Sequence, residues 1–279
     1  MKRIYRPLQP PVIQKGQLQP HYDYREYEPC DGLEPYVACY WTSDFSPTEN
    51  ARLHRIIPDG CIDIIVDRKA PSFTKGAFIS ELMTSYEVLD LTRPQSLFGI
   101  RFFAETIHLF LRDPVSAFRG SPPLLADLWG SEAGLLVEEM MDAPGIRDMI
   151  EVVERKLRRC LHSHSSISEG LLQTSISYLY AAQGNLSIKA LAETICYSER
   201  NLRRMFQHEL GVSPKELSQI IRFQAMLQSL YHTPPAHLTQ LAYTYGYFDQ
   251  PHFIKEFKRF YGLPPSQVFG AKPSMNVYS

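Results

Sequence analysis

The sequence predicts an α+β protein in which a strand-rich N-terminal part is followed by an all-helical C-terminal part. In the first hundred residues, short apolar runs are interrupted by Pro, Gly and Asp, as in strands joined by turns. After about residue 147, apolar residues recur at helical spacing between capping residues and terminal glycines. The helical part also contains an internal repeat, which predicts two units of the same build.

The composition is that of an ordinary globular protein. The chain has 279 residues, 44% hydrophobic and 21% charged, which is enough for two domains. Without an apolar run of about 20 residues or the apolar core of a signal peptide, we expect a cytoplasmic protein with no membrane association. The five cysteines are scattered without a C-x-x-C pair, which argues against a disulfide framework or a structural zinc site.

The strands are expected at the short apolar runs of the N-terminal part. They are PYVACYW, LHRIIPD, CIDIIVD, SYEVLDL and SLFGIRFF, with helices following around ETIHLFL, LLADLW and AGLLVEEMM. In CIDIIVD the alternation places Ile62, Ile64 and Val66 on one face and Asp63 on the other. A small β-barrel or curled sheet with appended helices fits this pattern.

A domain boundary is expected where a helix over residues 147–162 ends in the polar string SHSSIS. We place an N-terminal domain at 1–162, a linker at 163–168 and a C-terminal domain at 169–279. The charge divides accordingly: residues 168–279 carry 10 Lys+Arg and 7 Asp+Glu, or +3, which leaves 19 against 23, or −4, for residues 1–167. The C-terminal part is therefore mildly basic.

The repeat defines two helix-turn-helix units, at about 187–211 and 237–262. Leu191, Ala192, Thr194 and Tyr197 recur fifty positions later as Leu241, Ala242, Thr244 and Tyr247. Between the units, Ser213 and Glu216 form a capping box that opens a helix over 214–232. Ser187 and Ser198 are the expected caps of the first unit, and Asp249 is that of the second, with Pro251 as second helical residue.

The second helix of the first unit has a basic outer face. Leu202, Phe206 and Leu210 form its apolar stripe, so Arg200, Arg203 and Gln207 face outward and Arg204 lies at the edge. Arginine binds guanine through two hydrogen bonds or neutralises phosphates. A charged helix face also serves solubility alone, but its occurrence within a duplicated pair favours DNA binding.

Two blocks, LAETICYSERNLRRMFQHELGVSPKEL and LAYTYGYFDQPHFIKEFKRFYGLPPSQV, closely resemble the C-terminal domain of the AraC family of bacterial transcription regulators. The resemblance implies that the second helix of each unit enters the major groove of promoter DNA. The implied contact positions are Arg200, Arg203, Arg204, Gln250, His252 and Lys255, while Pro251 departs from the family pattern. It also implies recruitment of RNA polymerase, with activation the commoner outcome.

The N-terminal part resembles, through LEPYVACYW, RIIPDGCIDIIVD and LFGIRF, a cupin-like domain that often precedes such a pair. It is presumed to be sensory, so we expect a small-molecule effector. Trp41, Asp63 and Arg101 are candidates to line its pocket. The alternative is that Asp63 and Arg101 form a structural ion pair and Trp41 is a core residue.

Enzymatic and metal chemistry have little support in the sequence. Between residues 30 and 120 the only histidines are His54 and His108, and no nucleotide-binding or nucleophile motif is present, so we expect neither catalysis nor a cofactor nor a metal. Two alternatives remain open. The N-terminal domain is an enzyme or metal sensor fused to a DNA reader, or it is chiefly a dimerisation module that uses the stripe Ile150, Val153, Leu157 and Leu161.

Overall fold

The computed structural model describes residues 5–13, 22–47, 54–89, 93–111, 114, 117, 122–161, 168–232 and 238–269. In this part of the chain, every strand precedes Ala104, and every element from Leu125 onward is helical. The predicted α+β class is therefore confirmed. The expected linker over 163–168 falls outside the described residues except for Ser168. No helix of the described part is long and apolar enough to span a membrane.

The strands of the described residues form a five-stranded antiparallel sheet and a two-stranded ribbon. In spatial order, the sheet consists of β1 (Tyr22–Tyr27), β2 (Val37–Phe45), β7 (Gln95–Phe103), β4 (Cys61–Asp67) and β5 (Ala77–Ile79). The ribbon pairs β3 (His54–Ile56) with β6 (Glu87–Leu89). Each of the five predicted runs contains a strand. The sequence predicted neither edge strand: YDYREY of β1 lacks aliphatic residues and has half its positions exposed, and β5 is only three residues long.

The two faces of the sheet differ as the alternation predicts. Ile62, Ile64 and Val66 are completely or almost completely buried on the apolar face of β4. The opposite face carries Asp63, which lies directly across from Arg101 on β7. One face thus forms the apolar core, and the other buries charge.

Five described helices accompany the sheet. Helix α1 (Pro10–Ile13) precedes it, α2 (Phe73–Gly76) lies between β4 and β5, and α3 (Leu125–Trp129), α4 (Ser131–Asp142) and α5 (Ile146–Leu161) come after it. The helix expected at ETIHLFL is only a 3-10 turn, Ile107–Leu109. The first polar residues of this run form hydrogen bonds instead. The Thr106 hydroxyl lies within hydrogen-bond distance of two backbone carbonyls, and the Glu105 carboxylate accepts a hydrogen bond from Tyr180 in a distant helix.

The apolar stripe of α5 packs inside the chain. Val153 and Leu157 are fully buried, Ile150 is 9% exposed, and α5 lies against α4. Three members of the stripe are therefore core residues of a single chain and are not available as a dimer seam.

The C-terminal part consists of seven described helices. They are α6 (Ser168–Ala181), α7 (Ile188–Thr194), α8 (Glu199–Glu209), α9 (Pro214–His232), α10 (Leu238–Thr244), α11 (Gln250–Tyr261) and α12 (Pro265–Val268). Helix α9 spans the 19 residues predicted from its sequence.

The helix caps are those expected. Ser187 accepts a hydrogen bond from the Ala190 amide, and Ser198 accepts one from Asn201. Asp249 accepts from the His252 amide at 2.7 Å, which places Pro251 in the first turn of α11, where no intrahelical donor is lost. The capping box is also formed, with Ser213 and Glu216 bonded reciprocally.

Residues 5–13, here called the N-terminal strap, connect the sheet to the helical part. Tyr5 stacks on Tyr180 of α6 with ring centroids 4.3 Å apart and donates to the Asp59 carbonyl at 2.6 Å. Gln224 of α9 is fully buried; its side chain accepts from the Leu8 amide and donates to the Pro58 carbonyl, both at 2.8 Å. The strap is thus hydrogen-bonded both to the turn at Asp59 and to helix α9.

Candidate functional site

The two predicted helix pairs have the same backbone construction. In the first pair, α7 and α8, the Tyr197 amide donates to the Ala192 carbonyl at 2.9 Å; in the second, α10 and α11, Tyr247 donates to Ala242 at the same distance. Each turn contains a residue with positive φ, Cys196 at 54° in the first and Gly246 at 70° in the second. The sequence repeat is therefore a repeat of structure.

The second helix of each pair buries its apolar face. Leu202 and Phe206 of α8 are fully buried, as are Phe253 and Phe257 of α11. Since these faces form the core of the helical part, the opposite faces of α8 and α11 point to solvent. We call α8 and α11 the recognition helices.

In α8, the predicted contact residues lie on the exposed face. Arg200, Arg203 and Arg204 are exposed, and Arg203 forms an ion pair with Glu199 one turn earlier at 3.2 Å. The exposed Gln207 donates through its side-chain amide to the Gly211 carbonyl at 2.8 Å. The three arginines are thus accessible, whereas the amide of Gln207 serves the end of its own helix.

In α11, His252 and Lys255 are exposed and Gln250 is half-buried at the first turn. The His252 ring lies 5.5 Å from the Tyr247 ring, and its Nδ1 is 3.5 Å from the Phe248 amide. The packing of His252 on its own turn fixes the direction of its ring.

An ion pair braces α11 against α9. Arg222 Nη2 donates to both carboxylate oxygens of Glu256 at 2.7 and 2.9 Å, and Gln219 donates to the same carboxylate at 3.1 Å. The Arg222 guanidinium also lies 4.3 Å from the centroid of the Tyr247 ring. The sequence pattern did not predict this brace; its one signal was a glutamate that falls on the phenylalanine-rich face of α11.

The three candidate effector residues meet in a buried cluster on the polar face of the sheet. Trp41 Nε1 donates to Asp63 at 2.9 Å, and Arg101 contacts the Asp63 carboxylate with Nε and Nη2, both at 3.2 Å. Arg101 Nε is also 3.2 Å from Asp59, and Nη1 is 3.6 Å from Glu26. Sequence reasoning missed Asp59 and Glu26 because one lies in a turn and the other in the unpredicted strand β1.

Burial dominates the electrostatics of this cluster. Removal from water raises the pKa of Asp63 to about 6, although the Arg101 charge opposes that rise, and Asp59 adds to it. Burial likewise raises the pKa values of the Cys39 and Cys61 thiols, which favours their neutral forms. The described residues contain no group of three or more potential ligands that could hold a metal ion.

A cavity of about 860 Å³ lies beside this cluster. Its wall includes Tyr5 of the strap, the carboxylates of Glu26 and Glu34, and the apolar side chains of Val37 and Phe103. Trp41, Asp63 and Arg101 do not line it; they lie behind Glu26, which contacts Arg101. The volume is that of a small-molecule pocket.

Comparison with known families assigns two segments of the chain. Residues 191–271, which contain both recognition helices, match the family described as helix-turn-helix domain. The C-terminal part of the chain is an AraC-type helix-turn-helix domain. Residues 25–122, which include the whole sheet, match a family described as a domain of unknown function (DUF6597).

Curated relatives of this chain are named as regulatory proteins. The chain is 29% identical over 128 residues to a probable thc operon regulatory protein of Rhodococcus erythropolis, covering 45% of this chain and 39% of that protein. It is 35% identical over 92 residues to an HTH-type transcriptional regulator of Haemophilus influenzae, covering 33% of this chain and 30% of that protein. The chain thus spans well under half the length of these relatives.

Among solved structures, the C-terminal domain of AraT, a response regulator from Geobacillus stearothermophilus, is similar to part of this chain. The sequence identity is 26% and the TM-score 0.35, and the match covers 41% of this chain and 94% of that domain.

Proposed function

We propose that this chain is a sequence-specific DNA-binding transcription regulator of the AraC type. The observation that carries the proposal is the pair of recognition helices, built alike and connected through one 19-residue helix, with exposed basic residues on α8 and α11. At 1.5 Å per residue, α9 is about 28 Å long. That length is comparable with the roughly 34 Å between successive major grooves on one face of B-DNA.

Five of the predicted contact residues have side chains that suit a base or a phosphate. The side chains of Arg200 and Arg203 suit guanine, and that of Arg204 suits a phosphate. In the second recognition helix, Gln250 suits adenine, and Lys255 suits guanine or a phosphate. A single chain then binds two major grooves without a partner chain. We further propose that the protein acts in the cytoplasm and that RNA polymerase is its partner at the promoter. A homodimer is an additional arrangement.

We also propose that the 860 Å³ cavity binds a small-molecule effector. Its wall combines apolar surface with four acidic residues and one arginine, Arg6, and this acidic excess suits a ligand with a positively charged group and an apolar body. Since Tyr5 and Leu8 line the cavity and Leu8 is bonded to Gln224, a bound ligand would act on α9 through the strap. The cluster of Trp41, Asp63 and Arg101 would then hold Glu26 in place.

The test of DNA binding is selection of duplexes from a random library by the full-length protein. We expect one enriched motif, with an affinity that falls steeply as salt rises. Arg203→Ala should cost about 1 to 3 kcal/mol and relax one base position. Arg147→Ala removes the same charge from an exposed position on α5 and should leave binding unchanged. Failure to enrich any sequence would contradict the proposal.

The test of the effector site is a thermal-shift screen of a small-molecule library. Compounds that stabilise the wild-type protein should not stabilise Ala38→Trp, which fills the cavity with an indole. Glu138→Gln, at an exposed position on α4, serves as the control. Equal shifts in melting temperature for wild type and Ala38→Trp would place the ligand elsewhere.

Elemental analysis tests the metal-sensor alternative, which about one metal ion per chain would favour.

A further inference from the structure

Phe248 is an aromatic residue that the fold leaves in solvent. Its side chain is 85% exposed, the highest fraction among the exposed large hydrophobic side chains of the described residues; Leu135 follows at 66%. It stands immediately before Asp249, the N-cap of the second recognition helix. Since water disfavours exposed apolar surface, contact with a partner that covers this ring would be favourable.

The usual structural role of such a residue is already taken. An apolar residue just before an N-cap commonly packs against the fourth residue of the helix, here Phe253. In this chain, Tyr247 does so instead, with ring centroids 5.4 Å apart and only 2% of Tyr247 exposed. Phe248 is therefore not needed to fix the start of α11.

The first helix pair has no counterpart of Phe248. Tyr197 and Tyr247 occupy equivalent places, since their amides donate to Ala192 and Ala242 in the same way. After Tyr197 comes the cap Ser198 directly, whereas after Tyr247 one extra residue, Phe248, precedes the cap Asp249. The insertion adds Phe248, whose ring is 85% exposed, to the second pair, whereas Tyr197 of the first pair is 38% exposed.

The position of this ring indicates its partner. The N-terminal residues of a recognition helix approach the base edges in the major groove. Gln250, His252 and Lys255 follow within the next two turns, so Phe248 lies at the end of the helix that approaches DNA. Among the groups that base pairs present in the major groove, the thymine methyl is the apolar one, and phenylalanine is a side chain that contacts it.

We propose that Phe248 contacts the 5-methyl group of a thymine in the half of the site bound by α11. The proposal rests on the proposed function, because it requires sequence-specific DNA binding. It makes the two halves of the site unequal, since the first helix pair has no residue inserted between Tyr197 and its cap Ser198.

The experiment replaces thymine with deoxyuridine, one position at a time, in the duplex selected by the full-length protein. Deoxyuridine differs from thymine only by the missing methyl group. For the wild type, we expect one replacement to weaken binding about fourfold, which corresponds to about 0.8 kcal/mol for one buried methyl group. In Phe248→Ala the same replacement should have no effect. Phe248→Leu, which keeps an apolar side chain, should retain part of the sensitivity.

The remaining outcomes separate the proposal from its alternatives. Equal losses in wild type and Phe248→Ala at every thymine would overturn the methyl contact while leaving sequence-specific binding intact. Unchanged DNA binding by Phe248→Ala, with reduced transcription in a reconstituted system, would instead assign the ring to RNA polymerase. If no duplex is enriched at all, both the contact and the proposed function fail. Because Phe248 is exposed, the variants should melt at the wild-type temperature.

Discussion

Gly99 determines how the buried charge cluster is assembled. It lies on β7 between Trp41 on β2 and Ile65 on β4. A Cβ atom at this position would stand 2.0 Å from Trp41 Cε2, so the indole crosses β7 only because Gly99 has no side chain. In this way Trp41 reaches Asp63, which lies two strands away.

The buried Asp63 makes stability depend on pH. Its pKa rises from 3.8 to about 6 because burial disfavours the charged form. An acid with a higher pKa in the folded state stabilises the protein at low pH, and this contribution is lost as the pH rises through about 6. Between pH 4 and pH 7, we expect Asp63 to lower the free energy of unfolding by on the order of 2 kcal/mol.

Asp63→Asn removes this titration. The free energy of unfolding of wild type relative to Asp63→Asn, measured by urea denaturation at both pH values, should therefore fall from pH 4 to pH 7. Asp23→Asn, at an exposed position on β1, should show no comparable change. An Asp63→Asn curve parallel to wild type would contradict this assignment.

Cys196 adopts a strained backbone conformation in the turn of the first helix pair. Its φ of 54° is left-handed, and the equivalent residue of the second pair is Gly246. The left-handed conformation disfavours residues with a Cβ by about 1 to 2 kcal/mol. We therefore expect Cys196→Gly to raise the free energy of unfolding, measured by chemical denaturation, by about 1 kcal/mol. The greater conformational entropy of glycine in the unfolded chain reduces this gain. Cys196→Ala keeps the Cβ and should be close to neutral; a destabilising Cys196→Gly would be inconsistent with strain.

At the scale of elements, the brace between α9 and α11 sets the second recognition helix. The Glu256 side chain is 5% exposed and that of Arg222 14%, so the pair is largely shielded from water. Glu256→Gln leaves the Arg222 charge without its partner and should cost about 3 kcal/mol of stability. Glu193→Gln breaks an exposed 3.9 Å pair with Lys189 and should cost less than about 0.5 kcal/mol.

The same substitution tests the role of the brace in DNA binding. Because Glu256 is buried and bonded to Arg222, we expect Glu256→Gln to weaken DNA binding without changing the preferred base at any position. Binding curves for a panel of single-base variants of the selected site would show this. A preference altered at one base pair only would instead make Glu256 a contact residue.

The first turn of α11 separates a structural residue from a predicted contact residue. Pro251 occupies a position where no intrahelical hydrogen bond is lost, so Pro251→Ala should leave base specificity largely intact. Gln250→Ala should relax specificity at one base position, because it removes the amide that suits adenine. The two variants are compared on the same panel of duplexes, and the reverse pattern would refute the assignment.

At the scale of the whole molecule, the strap joins the sheet to the AraC-type domain. Gln224 alone bonds the Leu8 amide, the Leu8 carbonyl and the Pro58 carbonyl, all distant in sequence. Gln224→Ala leaves these groups unpaired, at about 1 to 3 kcal/mol for a buried polar group. We expect wild type to unfold in one calorimetric transition and Gln224→Ala in two.

Limited proteolysis gives a second measure of this coupling. The strap of Gln224→Ala should be cleaved faster than that of wild type, because its backbone loses a partner on α9. Gln173→Ala, at an exposed position on α6, should behave as wild type. A single transition and unchanged cleavage in Gln224→Ala would show that the remaining contacts, such as Tyr5 on Tyr180, suffice.

The elements that were predicted correctly depend on neighbours in the chain. The repeat, the serine and aspartate caps and the inward faces of α8 and α11 all follow from residues at most one or two turns apart. The elements that were missed lack such a local pattern. Strand β1 has no aliphatic alternation, and ETIHLFL has helical spacing although its polar residues bond to distant parts of the chain.

The sequence by itself determined the helix pairs, the helix that joins them and the exposed basic residues of α8. It also supplied Asp63 and Arg101 as a possible ion pair, but only the tertiary structure brought Trp41, Asp59 and Glu26 to them. The tertiary structure likewise formed the brace between Arg222 and Glu256 and the hydrogen bonds from Gln224 to the strap, 216 residues away in sequence. Local periodicity reports which face of an element is apolar; which buried polar groups meet is fixed by packing between distant segments, for which periodicity carries no information.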